Sequence, residues 1–352
     1  MPQVIQNAEG FTPELANRVL DLPDIADIKL EPLGEGVGLM SAVSRAQVIY
    51  ADGTQQSLIV KYVAQTENAA ISKGLNFYKN EVNFYRHLSD ACPVRAPKCL
   101  FADLDPATQD FLIVLEDLSE ATPGNQIEGA SRAEMSRAFE KAGDMHGRFW
   151  GKTSAWMAPH NDPEKNLFRR DSIYKPGIQP TLELFPSYFT GTLESTVVAI
   201  GDRFVEFFER AMSGPQTFIH GDFRTDNMLF EGSGAEVDLI AVDWQNSGSG
   251  RGAHDLAYFS SQSCGHQLRG QPELEELKLY HERLKDAGVE HYSFDECVDD
   301  YRYNLLVTMI TPIAVCGTLD QGNERGLELG RTMLERSLAA LQSMDCETLV
   351  QR

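Results

Sequence analysis

The sequence predicts an α+β protein of two lobes, an antiparallel sheet lobe followed by a mostly helical one. Three observations predict it. Short apolar runs at 28–33, 42–50, 57–63 and 111–115 crowd the first third of the chain, separated by glycine-bearing turns, and read as strands. From Ser131 onward, apolar residues recur at helical spacing in segments with clear starts and stops. The chain is 352 residues long, enough to bury a sizeable core in each of two lobes.

Composition narrows the functional class. Hydrophobic residues make up 42% and charged residues 24%, as in ordinary globular proteins. The formal charge of −21 argues against nucleic acid and anionic membrane surfaces as partners, and requires any nucleotide site to be locally cationic. The six cysteines (Cys92, Cys99, Cys264, Cys297, Cys316 and Cys346) form no C-x-x-C pair and no zinc spacing, which fits reduced thiols in a cytoplasm. The N-terminus has no basic region followed by an apolar core, so no secretory leader is expected. The most apolar stretch, 305–319, is broken by Thr308, Thr311 and Pro312 and suits a buried helix rather than a membrane span.

The chemistry concentrates in Phe218-Ile-His220-Gly-Asp222-Phe-Arg224-Thr-Asp-Asn227-Met-Leu-Phe230, followed by Leu239-Ile-Ala-Val-Asp243-Trp-Gln245. An acid, an amide and a second acid are set against short apolar runs that hold polar ends rigidly. Phosphoryl transfer needs one carboxylate to accept the proton of the attacking hydroxyl, and an amide with a second carboxylate to hold Mg²⁺ against nucleotide phosphates. Asp222 is the candidate base, and Asn227 and Asp243 are the candidate metal ligands. The interval from Asp222 to Asn227 equals that of the kinase loop H-R-D-x-x-x-x-N, with Gly221 in place of the arginine. The glycines of the insert 231–236 suit a turn between two strands.

His-Gly-Asp-(x)4-Asn followed by a strand ending in aspartate resembles the aminoglycoside phosphotransferase and choline kinase superfamily. Val-Asp243-Trp-Gln245 and Asp255-Leu-Ala-Tyr-Phe259 are most similar to its ecdysteroid-kinase-like branch. The resemblance spans roughly residues 30 to 340. It implies a bilobal protein-kinase-like fold, ATP and Mg²⁺ as cofactors, and a small-molecule hydroxyl as acceptor, with a bulky apolar, sterol-like alcohol suggested by the branch.

Taken in order, Thr12-Pro13-Glu14-Leu15 opens a capped helix. Gly34-Glu-Gly36-Val-Gly38-Leu-Met-Ser41 then joins two strands, and its glycines allow backbone N–H groups to lie over phosphates. Gly36 and Gly38 are candidate nucleotide contacts, and Ser41 matches the small hydroxyl residue that relatives carry there. Asp52-Gly53 closes a hairpin. Lys61, a lysine amid apolar strand residues, needs a partner and is the candidate for the α- and β-phosphates. Glu81, on a helical stretch with Val82, Tyr85 and Leu88, is the candidate to orient it. In relatives the segment at Glu116-Asp117-Leu118 forms the hinge whose backbone meets the adenine, so the boundary falls between a nucleotide-binding lobe, 1–117, and a catalytic lobe, 118–352.

Ser131-Arg-Ala-Glu134 is a capping box ahead of the stripe Met135, Phe139, Ala142, Met145, His146 and Phe149. His146 is expected to pack near the core. The aromatic and proline-bearing region 151–217 is where a substrate lid or pocket wall would vary. The stretch 246–252 reads as a flexible glycine-serine loop. In relatives the aspartate matching Asp255 supports the catalytic loop from behind. Helices follow at 272–287, after Ser293, and at 324–342.

The reading is an ATP- and Mg²⁺-dependent phosphotransferase acting on a small alcohol. Two alternatives stay open: an amino-sugar or choline-like cation as acceptor, and a catalytically silent nucleotide-binding module. Trp244-Gln245 replaces Phe-Gly after the metal-binding acid, and no Ala-Pro-Glu segment follows, which disfavours a protein substrate.

Overall fold

The computed structural model describes residues 2–33, 41–66, 68–319 and 323–351. Gly36 and Gly38 lie outside the described residues. The chain divides into two compact units, Met1–Ala121 with Ala241–Ser247, and Thr122–Ile240 with Gly248–Arg352.

The first unit is built on an antiparallel sheet. Its strands β1 (Ile25–Leu33), β2 (Ser41–Tyr50), β3 (Gln55–Val63), β4 (Cys99–Leu104) and β5 (Phe111–Glu116) lie in the order β1-β2-β3-β5-β4. Between β2 and β3 the turn places Gly53 at φ 85°, a left-handed conformation that favours glycine. Thr12 caps the first helix, Pro13–Val19, by accepting the Leu15 N–H. Leu15 and Phe11 pack with Val48, Leu58, Val60, Leu112 and Val114 in one buried cluster. Strand alternation then puts Lys61, between Val60 and Tyr62, on the opposite face, toward helix α1 (Phe77–His87). That helix buries Tyr78, Glu81, Val82 and Tyr85, a carboxylate among apolar neighbours at three- and four-residue spacing.

The second unit is mostly helical. Helix α2 (Arg132–Phe149) starts with the capping box, in which Ser131 and Glu134 each accept the other's backbone N–H. Helix α3 (Pro163–Phe168) runs into a π-helical turn, Arg169–Tyr174, and on into Lys175–Leu184. Short strands β6 (Thr217–Ile219), β7 (Met228–Glu231) and β8 (Asp238–Ala241) carry the motif residues. Helices α4 (Ala253–Ser263), α5 (Phe294–Thr308) and α6 (Glu324–Ser343) complete the helical layer. The apolar 305–319 stretch is divided between α5 and a separate helix, Ile310–Gly317. Among the described residues, no helix is long and apolar enough to cross a membrane.

One expectation is corrected. Part of the glycine-serine stretch is strand β9 (Gly248–Gly250), paired antiparallel with β6. Its glycines answer to close approach rather than mobility: a Cβ at Gly248 would stand 2.2 Å from the Ala158 carbonyl oxygen, and one at Gly250 would stand 2.5 Å from Ile219.

Candidate active site

In the first unit, three charged side chains converge. Lys61 Nζ donates to Glu81 Oε1 at 2.6 Å and to Asp243 Oδ1 at 3.1 Å. Side-chain exposure is 9% for Lys61, 1% for Glu81 and 29% for Asp243, so Asp243 is the member open to a ligand. Burial alone would pull the Lys61 ammonium down, but the two carboxylates outweigh it and raise its pKa above the ordinary lysine value. Burial raises Glu81, and the nearby Asp243 charge adds to it. One ammonium between two carboxylates leaves a surplus negative charge at Asp243, the condition a divalent cation would relieve.

The Asp243 backbone sits at φ 63°, ψ 60°, a left-handed conformation that costs an aspartate of order 1 kcal/mol or more and persists only when the surroundings impose it. The surroundings are the next two residues. Trp244 is fully buried, stacks on Phe84 of α1 with centroids 3.9 Å apart and planes at 10°, and donates its indole N–H to the Ala241 carbonyl at 3.0 Å. Gln245 donates to Asp243 Oδ2 at 3.0 Å, while its carbonyl accepts from Asn80 of α1 at 3.1 Å. Helix α1 therefore holds both Glu81 and the segment that carries Asp243.

In the second unit, β6 delivers His220, Gly221 and Asp222. Gly221 sits at φ 79°, which explains glycine where protein kinases carry arginine. Buried Asp255, in the first turn of α4, accepts the N–H groups of His220 and Gly221, both at 2.8 Å. His146 of α2 completes the brace, 3.2 Å from Asp255 through Nε2 and 3.1 Å from the Tyr280 hydroxyl through Nδ1. Burial would raise Asp255, but hydrogen bonding with His146 and the charges of His146, His220 and His254 bring its pKa below the ordinary value.

Asp222 and Asn227 meet directly. The Asn227 amide nitrogen donates to Asp222 Oδ2 and to the Asp222 carbonyl, both at 2.8 Å. Arg224 Nε lies 3.1 Å from Asp222 Oδ1 as an ion pair, yet that oxygen is buried and accepts no well-directed hydrogen bond among the described residues. Burial would raise the Asp222 pKa. The Arg224 charge, hydrogen bonding from Tyr258, the His220 charge and the Asn227 hydrogen bond together lower it, so Asp222 is a carboxylate at neutral pH.

A model of the ecdysteroid kinase-like family matches residues 35–292, the larger part of the chain. The chain belongs to the ecdysteroid kinase-like family. No curated protein matches it significantly. Among solved structures, this family member is similar to a microcompartment-associated aminopropanol kinase, with 14% identity and a TM-score of 0.55 over 94% of this chain and 97% of that one. It is also similar to the GDP complex of an aminoglycoside 2'-phosphotransferase-IIIa mutant, with 13% identity and a TM-score of 0.54 over 96% and 99%. At these identities the likeness shows the fold alone, the bilobal protein-kinase-like fold.

The remaining sequence candidates fall within this kinase-like frame. Ser41, buried at the start of β2, pairs with Val63. Glu116 accepts the Lys98 N–H at 2.7 Å, and the Leu118 carbonyl accepts the Ala121 N–H at 3.0 Å. Asp117 between them accepts from Arg45 at 2.7 Å and Ser57 at 2.5 Å, tying the end of β5 to β2 and β3. Arg224, Tyr258, Asp117, Trp244 and Gln245 are site-shaping residues that sequence reasoning did not assign. Arg224 was the one within sight, two residues from the acid whose charge it balances.

Among the described residues, no group of three or more His, Cys, Asp and Glu is arranged as a metal cluster. The donors nonetheless suit Mg²⁺. Asn227 spends its amide nitrogen on Asp222, which leaves its carbonyl oxygen, and Asp243 is the exposed carboxylate of its cluster; both are hard oxygen donors.

Proposed function

We propose that this protein is a small-molecule kinase that transfers the γ-phosphoryl group of ATP to a substrate hydroxyl in the cytoplasm. The observation that carries the proposal is Asp222: ionised, fixed by Asn227, and with one buried oxygen accepting no well-directed hydrogen bond among the described residues. The substrate hydroxyl would donate to that oxygen. As its own oxygen bonds to the γ-phosphorus and the bond to the β–γ bridging oxygen breaks, its proton passes to Asp222, leaving ADP and a phosphate monoester.

Residues 1–117 serve as the nucleotide lobe and 118–352 as the catalytic lobe in this reading. Lys61, oriented by Glu81, contacts the α- and β-phosphates; Gly36, Gly38 and Ser41 cover them; the backbone at Glu116 and Leu118 meets the adenine. Asn227 and Asp243 would hold Mg²⁺, which would supply charge neutralisation at the nucleotide phosphates. The GDP complexes of the aminoglycoside phosphotransferase support a nucleotide, and the aminopropanol kinase supports a small alcohol. The six free thiols support a reducing compartment. Family membership favours a bulky apolar alcohol as the body of the acceptor.

The test is transfer from γ-labelled ATP to a library of small alcohols, run beside a peptide library. Label in small alcohols, lost in Asp222→Asn, is expected. Label in peptides alone would overturn the acceptor class, and label retained in the variant would overturn the role of Asp222.

A further inference from the structure

Residues 158–170, in the region the sequence marks as a variable pocket wall, lie against the root of the catalytic loop. Pro159 forms a bridge with Ser249 of β9, and the His160 N–H donates to the Ser249 carbonyl at 2.8 Å. Strand β9 in turn pairs with β6, which leads into His220 and Asp222. This packing fixes His160 and, nine residues on, Arg169, which donates from Nη1 to the His160 carbonyl at 3.1 Å and to Asn166 Oδ1 at 2.7 Å.

The Arg169 guanidinium lies 4.6 Å over the Phe208 ring, and no carboxylate lies within ion-pair distance of it among the described residues. Asp162 is the near acid, and its Oδ1 caps α3 by accepting the N–H groups of Glu164 and Lys165. Both Nη1 bonds are on one side of the group. Nε and Nη2, the pair of donors along the free edge, have no hydrogen-bond partner among the described residues. Burial lowers the Arg169 pKa to about 10, against only a partial opposing pull from Asp162. An arginine so placed is costly unless an anion comes to it.

Its neighbours are of a kind. The buried ring of His160 makes no hydrogen bond among the described residues and lies beside His254, centroids 4.6 Å apart and planes tilted by 53°. Asn304 spends its amide nitrogen on the carbonyls of Ala211 and Asp300, so its oxygen accepts from His254 Nδ1 at 3.2 Å, and His254 Nε2 has no hydrogen-bond partner among the described residues. His254 adjoins Tyr258 at 5.9 Å between centroids, and Tyr258 is near enough to Asp222 to help hold its pKa down. The series Arg169, His160, His254, Tyr258 thus ends at the proposed base. Arg169 also opens the π-helical turn, a rare distortion that recurs at functional sites.

We propose that the acceptor is an anionic alcohol, a hydroxy acid whose carboxylate is bound by the free Nε/Nη2 edge of Arg169 with a hydrogen bond from His160. The two-donor edge matches the two oxygens of a carboxylate, which a point charge such as lysine does not. This inference rests on the kinase reading of Asp222 and specifies its substrate class. It opposes an amino-sugar or choline-like cation, and it is compatible with a bulky apolar body between the carboxylate and the reacting hydroxyl.

The experiment compares kcat/KM for ω-hydroxy acids of graded chain length with their primary amides and with the matching amino alcohols, at fixed Mg-ATP. At the best length the acid is expected to exceed both by about tenfold or more, the scale of a charge-assisted hydrogen-bonded pair. Arg169→Gln should bring the acid-to-amide ratio toward one through KM for the acid, and Arg169→Lys should recover only part of it; retained Mg-ATP binding certifies that each variant is folded. Amides or amino alcohols preferred over acids, or an acid preference unchanged in Arg169→Gln, would overturn the inference and leave the kinase reading standing. Mg-ATP binding with no transfer to any acid also counts against it. Absence of both Mg-ATP binding and transfer would overturn the kinase reading instead.

Discussion

The Lys61–Glu81–Asp243 cluster and the Asp222–Asn227 loop both hold an aspartate in place, by opposite means. Asp243 is held by crowding: one ammonium shared with Glu81, a left-handed backbone, and a tryptophan and glutamine fastened to α1. Asp222 is held by satisfaction: its loop hangs from the buried Asp255, which accepts two consecutive backbone N–H groups, and Arg224 balances its charge. The first arrangement stores surplus negative charge that a cation would relieve. The second keeps a carboxylate ionised and still able to take a proton. A group that binds a metal and a group that moves a proton need these different settings.

The largest effect expected from breaking this contrast is on Asp222. Asp222→Asn keeps the shape and removes the proton acceptor, and turnover should fall about 10²–10⁴-fold with little change in thermal stability. Next is Lys61→Met, which leaves Glu81 buried without its cation and should destabilise the fold by about 3–5 kcal/mol. Adding Glu81→Gln should restore much of that stability and none of the activity. If the double variant recovers turnover, Lys61 is a structural cation only.

Asp255→Asn tests the brace. It removes an acceptor from one of two buried N–H groups, and thermal unfolding should register a loss of about 1–3 kcal/mol. Because hydrogen bonding with His146 and the cationic neighbours outweigh burial and leave the Asp255 pKa lowered, its stabilisation is complete above the ordinary carboxylate value and is lost as pH falls through the lower native value. The variant should therefore flatten the acid limb of the stability profile. The smallest effect is expected from Arg224→Gln. Arg224 helps hold the Asp222 pKa down, so the acid limb of kcat/KM should move to higher pH while the plateau changes little. An unmoved limb would show that Arg224 does not tune the base.

These settings were unequally legible in the sequence. A lone lysine in an apolar strand demands a carboxylate, and Glu81 on a following amphipathic helix supplies one, so the pair follows from composition and period. The interval from Asp222 to Asn227 is local, and the loop it encodes closes on itself. Asp255 is 35 residues from His220, and only the family pattern points to it. What was not legible depends on packing between distant segments. Gly248 and Gly250 read as flexibility because sequence does not show the Ala158 and Ile219 atoms that exclude a side chain. Trp244 and Gln245 read as departures from a kinase motif, whereas their partners Phe84 and Asn80, on a helix far upstream, make them the fastening of Asp243. The two-lobed class was legible because strand and helix periods occupy separate stretches of the chain.

The most direct test of this division of labour is calorimetric binding of ATP with and without Mg²⁺ to the wild type, Asp243→Asn and Asp222→Asn. Mg²⁺ is expected to strengthen ATP binding in the wild type and in Asp222→Asn, and Asp243→Asn is expected to lose the increment. No ATP binding in any condition, or an increment lost with Asp222 and kept without Asp243, would contradict this division.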